Sequence, residues 1–132
     1  MLCVVDTSVW IDFFRGKASE KCKLLVRLID EGGDIAYTGV ILTEVMMGFK
    51  KEEHIKSALE LFKKNFIYLE SSESTYLLAS KIYRTARKHG LTIRSSIDCI
   101  ISASALEHKA SLLENDKDFV SISKICDLNL IK

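Results

Sequence analysis

Leu2-Cys3-Val4-Val5-Asp6-Thr7-Ser8-Val9-Trp10-Ile11 is the stretch whose reading decides the fold. Four apolar residues in a row, with β-branched Val4 and Val5 at the end, have the length and composition of a buried strand. The run stops at an aspartate and two hydroxyl residues, and apolar residues then resume. Aspartate is a leading helix-capping residue, so Asp6 reads both as the carboxyl end of a strand and as the entry to a helix.

Outward from this stretch the same punctuation recurs. Ile35 to Tyr37, Phe66 to Leu69, Ser111 to Leu113 and Leu128 to Ile131 join Leu2 to Val5 as five candidate strands. Between them, Leu24, Leu25, Leu28 and Ile29 share one helical face, while Glu20, Lys21, Lys23, Arg27, Asp30 and Glu31 fill the other. A second amphipathic helix is predicted through Ile55, Ala58, Leu59 and Phe62, and a third through Leu78, Ala79, Ile82, Tyr83 and Ala86. The third ends in Arg87-Lys88-His89-Gly90, with cations at the negative pole of the helix and a glycine suited to the left-handed cap. Strand followed by helix, repeated, predicts an α/β domain whose mainly parallel sheet is covered by helices on both faces. In such sheets ligands bind beyond the carboxyl ends of the strands.

Composition narrows the class. A chain of 132 residues without proline, linker, repeat or low-complexity tract is expected to be a single domain over residues 1–132. Its 48% hydrophobic and 28% charged content excludes a disordered chain. The apolar runs are too short to cross a bilayer and no signal segment opens the chain, so no membrane association and a cytoplasmic location are expected. A net charge of +1 excludes a grossly basic nucleic-acid-coating protein but allows a local patch. Cys3, Cys22, Cys99 and Cys126 form no C-x-x-C pair and read as reduced, small core residues.

Most of the 18 acidic residues sit beside lysines on polar helix faces, where solvated charge explains them. Four do not fit that explanation. Asp6 ends the first strand, although capping alone would also account for it. Glu44 lies among Val40, Ile41, Met47 and Gly48 at helical spacing, with no charged partner, and burying it ionised costs several kcal/mol of hydration. Asp98 stands in a segment apolar nearly all round, with Ser95-x-x-Asp98 matching a capping box. Asp116, with Asp118, follows the fourth strand in what alone would be a polar turn.

The predicted fold brings all four acids toward one sheet edge. Two carboxylates about 5 Å apart repel by roughly 3 kcal/mol at an effective dielectric of 20, so protons or cations must intervene. Oxygen ligands select hard cations such as Mg²⁺ or Mn²⁺ over zinc, and such ions suit phosphodiester hydrolysis by in-line displacement.

With these residues in view, the sequence resembles the PIN-domain family, and within it the VapC-type toxins of prokaryotic toxin-antitoxin pairs. Asp6-Thr7-Ser8-Val9-Trp10-Ile11 resembles the opening strand-to-helix motif of the family, Thr43-Glu44-Val45 its second acid, Asp98 with Ile100, Ile101 and Ala103 its third, and Asn115-Asp116-Lys117-Asp118-Phe119 its closing motif. The resemblance spans essentially the whole chain. It implies a three-layer α/β/α fold with a five-stranded sheet, and endonucleolytic cleavage of RNA by water activated by Mg²⁺ or Mn²⁺. It also implies a homodimer and a cognate antitoxin that fills the site. Carried over by position, Asp6, Glu44, Asp98 and Asp116 are the catalytic acids, with Asp6, Asp98 and Asp116 as metal ligands. Thr7, Ser8, Asp118 and Arg94 are supporting residues.

Glu114 departs from the family pattern, which has a small or polar residue there. Arg94 offsets the negative charge, contacts phosphate or forms a structural ion pair. Trp10, Phe13 and Phe14 read as core or dimer contacts rather than base-stacking groups. Arg15, Lys50, Lys51, Arg84, Arg87, Lys88 and Lys117 read equally as RNA guides or solvated surface. The competing classes are a PIN-like module that binds RNA or a partner without cutting, and a phosphoryl receiver domain. The receiver fits poorly, since a single acid follows the first strand.

Overall fold

The computed structural model describes residues 1–132. β1 (Leu2–Val5) leads through α1 (Thr7–Phe14) and α2 (Glu20–Asp30) to β2 (Asp34–Thr38). From there the chain passes through α3 (Gly39–Met47) and α4 (Glu52–Asn65) to β3 (Ile67–Leu69). After α5 (Glu73–Lys88) and α6 (Ser96–Glu107) it returns to β4 (Ser111–Leu113) and ends in α7 (Lys117–Ser123) and an irregular tail.

All strand pairs are parallel and the order is β3-β2-β1-β4. The first two crossovers step one way across the sheet and the third steps back past β1. With right-handed crossovers, α1 to α4 therefore cover one face, and α5 and α6 the other. The reversal falls between β1 and β4, the switch point at which open α/β sheets place their ligands.

The sheet has four strands rather than the five expected. Leu128 to Ile131 does not form a strand: Leu130 makes one parallel bridge to Leu112, flanked by Leu112 N–H to Asn129 O and Ile131 N–H to Leu112 O. The neighbouring β4 is only three residues long, which leaves no room for a longer ladder.

Strands β1 and β4 are buried on both faces, as apolar runs in a parallel sheet require. Val4, Val5, Leu112 and Leu113 are fully buried. Trp10 packs within 5.1 Å of the Phe62 and Phe66 rings, and Tyr37 lies 5.0 Å from Phe62. Trp10, Phe13 and Phe14 are thus part of the core, ordered by edge and tilted ring contacts. Gly90 takes φ +72° after α5, as its sequence signal predicts, and lets Leu91 N–H close back on Ala86 O at 2.9 Å. All four cysteines are free; Cys3, Cys22 and Cys99 are buried and Cys126 half-buried.

Candidate active site

Asp6 is positioned by the sheet itself. Its N–H donates to Leu113 O at 2.9 Å, extending the β1/β4 pairing one residue past Val5. The side chain then caps α1: Oδ2 accepts the Ser8 N–H at 3.3 Å and the Ser8 hydroxyl at 2.6 Å. Capping and placement at the strand end are one arrangement, with Ser8 fixing the carboxylate rotamer. Burial pushes the Asp6 carboxyl above its ordinary range, the bonds from Ser8 and Thr7 counter that, and the Glu44 charge raises it further.

Glu44 has the partner that its own helix lacks. Thr7 Oγ1 donates to Glu44 Oε1 at 2.7 Å, tying the first residue of α1 to the middle of α3. The start of α3 is anchored by the fully buried Thr38, whose hydroxyl accepts the Ile41 N–H at 3.4 Å. Two β-strand ends thus aim two helices at the same edge.

Asp98 faces the site instead of its own backbone. Ser95 Oγ accepts the Ile97 N–H at 3.2 Å, so half of the expected capping box forms, but no bond returns from Asp98. Its Oδ2 is buried without a hydrogen-bond partner, and the residue is only 8% exposed. Burial pushes its pKa up to about 7, reinforced by the charges of Asp6, Asp116, Asp118 and Glu44. Asp6, Asp116, Asp118 and Glu44 are thus near enough to act on the Asp98 carboxyl.

Asp116 caps α7, its Oδ1 accepting the Asp118 N–H at 2.9 Å. One carboxylate oxygen each from Asp98, Asp116 and Asp118 lies within 4.8 Å of the others. Each ionised pair at that distance repels by about 3 kcal/mol at an effective dielectric of 20. Arg94 offsets part of this: its Nη2 lies 3.3 Å from Asp116 Oδ1 and its Nε 3.4 Å from Asp118 Oδ2. The backbone N–H of Arg94 also donates to Asp118 Oδ2 at 3.1 Å.

The tightest trio therefore contains Asp118, which the sequence ranked below Asp6. Asp118 is 4% exposed, and its approach to Asp98 comes from the packing of α7 against α6. Glu114 is buried; burial raises its pKa, and Lys21 opposes the rise. Lys21 also donates to Ile131 O at 3.1 Å. The other basic candidates, Arg15, Lys50, Lys51, Arg84, Arg87, Lys88 and Lys117, are exposed.

A divalent ion fits these residues. The donors are hard carboxylate oxygens, one buried oxygen of Asp98 lacks any partner, and the trio carries more negative charge than one arginine neutralises.

The PIN domain model matches residues 3–125, and the chain belongs to the PIN domain family. Among curated relatives, Ribonuclease VapC11 of Mycobacterium tuberculosis is 32% identical over 129 residues, covering 96% of each chain. Ribonuclease VapC19 of the same organism is 27% identical over 110 residues, 83% of this chain and 85% of that one. Among solved structures, VapBC2 from Rickettsia felis, bound to a DNA fragment from its promoter, superposes with TM-score 0.77 at 21% identity, over 99% of this chain and 98% of that one. VapBC-1 from nontypeable Haemophilus influenzae gives 0.75 at 23% identity, over 100% and 98%. The structural likeness establishes the fold, and the family resemblance read from the four motifs holds. Family membership sets the receiver domain aside.

Proposed function

We propose that this protein is a metal-dependent endoribonuclease, the toxin of a toxin-antitoxin pair, which hydrolyses RNA phosphodiester bonds with water. Its kinship with VapC ribonucleases supports the activity. The observation that carries the mechanism is the carboxylate trio of Asp98, Asp116 and Asp118, in which Asp98 also has a buried oxygen without a partner. Residues 1–132 act as one unit, supported by a hydrophobic core that joins both helical layers.

Asp98, Asp116 and Asp118 would hold a Mg²⁺ or Mn²⁺ ion, with Asp6 beside them at the end of β1. Such an ion supplies positive charge against the phosphodiester and acidifies a water molecule. Asp6, Glu44, Asp98 and Asp116 are the catalytic acids. Ser8 fixes Asp6 through two hydrogen bonds, and Thr7 holds Glu44 Oε1, leaving its second oxygen for the cleft. Without an ion Asp98 keeps its proton up to about pH 7. A divalent ion would compete with that proton for the carboxylate.

The partners that follow are single-stranded or looped RNA, a cognate antitoxin and a second copy of the chain; the relatives solved as VapBC complexes support the antitoxin. No helix is long and apolar enough to cross a membrane, in keeping with action in the cytoplasm. The purified protein should cleave RNA with Mg²⁺ or Mn²⁺, and EDTA or Asp6→Asn should stop it. Cleavage undiminished by Asp6→Asn would mean a contaminating nuclease or another site. RNA binding without cleavage under any divalent ion would leave only the non-cutting module.

A further inference from the structure

Arg94 is the one basic side chain paired with the acids of the cleft. It is not a core residue: its side chain is 63% exposed, so it can leave without disturbing packing. Its guanidinium contacts Asp116 Oδ1 and Asp118 Oδ2, carboxylates that also belong to the trio suited to a divalent ion. The backbone N–H of Arg94 holds Asp118 Oδ2 independently of the side chain. Likewise Asp116 keeps its bond from the Asp118 N–H. Both carboxylates therefore stay in place when the guanidinium moves, and what changes is which cation they face.

We propose that Arg94 is a displaceable internal counterion: its guanidinium occupies Asp116 and Asp118 in the metal-free protein, and a divalent ion must displace it to bind. The same arginine thereby stabilises the empty cleft and weakens metal affinity. This inference rests on the metal-dependent nuclease reading. Arg94 acts as a positioning residue through these carboxylates. Lys117 and Lys124 line a neighbouring surface pocket that Arg94 and Asp118 also border, giving a built-in comparison for charge alone.

The test is Mn²⁺ binding to the purified full chain, read by titration calorimetry and by the paramagnetic resonance of free Mn²⁺. Arg94→Gln should bind Mn²⁺ about fivefold to tenfold more tightly, the scale of two ion pairs partly open to solvent. Its metal-free form should melt at a lower temperature than wild type. Lys124→Gln, which removes a charge from the pocket beside Arg94 without breaking an ion pair to the acids, should change Mn²⁺ affinity less than twofold. Arg94→Lys, which keeps the charge but loses the two-pronged contact, should fall between wild type and Arg94→Gln, and it serves alone if Arg94→Gln does not fold. Unchanged or weaker Mn²⁺ binding in the Arg94 variants, or an equal gain in Lys124→Gln, overturns the proposal and leaves the nuclease reading standing. Absence of Mn²⁺ binding in wild type overturns both.

Discussion

The two ends of α1 obey opposite rules. At its start, Asp6, Thr7 and Ser8 hold charge where burial opposes it, and the neighbouring Asp98 oxygen has no partner at all. One turn later, Trp10, Phe13 and Phe14 fill a mainly apolar cluster of rings with Phe62 and Phe66, in which the buried Trp10 Nε1 is the polar atom left without a partner. Asp6 and Trp10 are both buried, yet the aromatic end lowers the free energy of folding and the acidic end raises it. Stability is concentrated where the chemistry is absent, and the helix ties the two together.

The largest expected effect comes from breaking the stable end. Phe62→Ala removes a fully buried ring touching Trp10 and Tyr37, and should cost about 3–5 kcal/mol in denaturant unfolding. The variant that remains folded should keep its Mn²⁺ affinity; loss of both in proportion would show that the two ends are not separable.

Next in size, Asp98→Asn should lower RNA cleavage by more than about 100-fold, beyond what the loss of an outer-shell partner costs. The same substitution should raise the metal-free melting temperature at pH 8, because a buried charge is removed. A destabilised Asp98→Asn protein would mean that the acidic end does not oppose folding. Thr7→Val, which frees Glu44 Oε1 without removing an acid, should reduce cleavage by about tenfold with the fold intact by circular dichroism.

A pH dependence with a defined sign sharpens the same comparison. The Asp98 pKa is about 7 in the folded chain against an ordinary 3.8, so between these values the folded form keeps a proton that the unfolded chain has released. Metal-free stability from this group should therefore fall as pH rises through that window and level off above it. Comparing wild type with Asp98→Asn in melts at pH 5 and pH 8 isolates the contribution. Mn²⁺ should stabilise wild type more at pH 8 than at pH 5. An equal stabilisation at both pH values would mean that Asp98 is not a ligand.

Much of this was legible in the residues. The short apolar runs were long enough to mark all four strands, and Asp6 could be placed at a strand end because an aspartate directly follows Val5. The resemblance then supplied the order of the acids. The tail was misread because Leu128, Leu130 and Ile131 have the spacing of a strand, while the pairing they find on β4 is a single bridge at Leu112, which the pattern of the tail itself does not show. Asp118 was ranked too low for a related reason. Its closeness to Asp98 comes from how α6 and α7 pack, and sequence spacing within one turn shows only that it follows a cap. Ser95-x-x-Asp98 misled in the other direction, since the motif describes a bond that Asp98 forgoes in favour of the cleft.

The single bridge at Leu130 has a consequence for how copies of this chain meet. A fifth full strand would end the sheet in a fresh row of open amide and carbonyl groups, a template on which another polypeptide can pair. The tail instead covers the outer side of β4 with one residue's worth of pairing, pinned by Asn129 to the Ser111 hydroxyl and by Lys21 to Ile131 O. It shields the strand that leads to Asp116 while offering too little backbone of its own to recruit a neighbour, and so guards that flank against sheet-to-sheet aggregation.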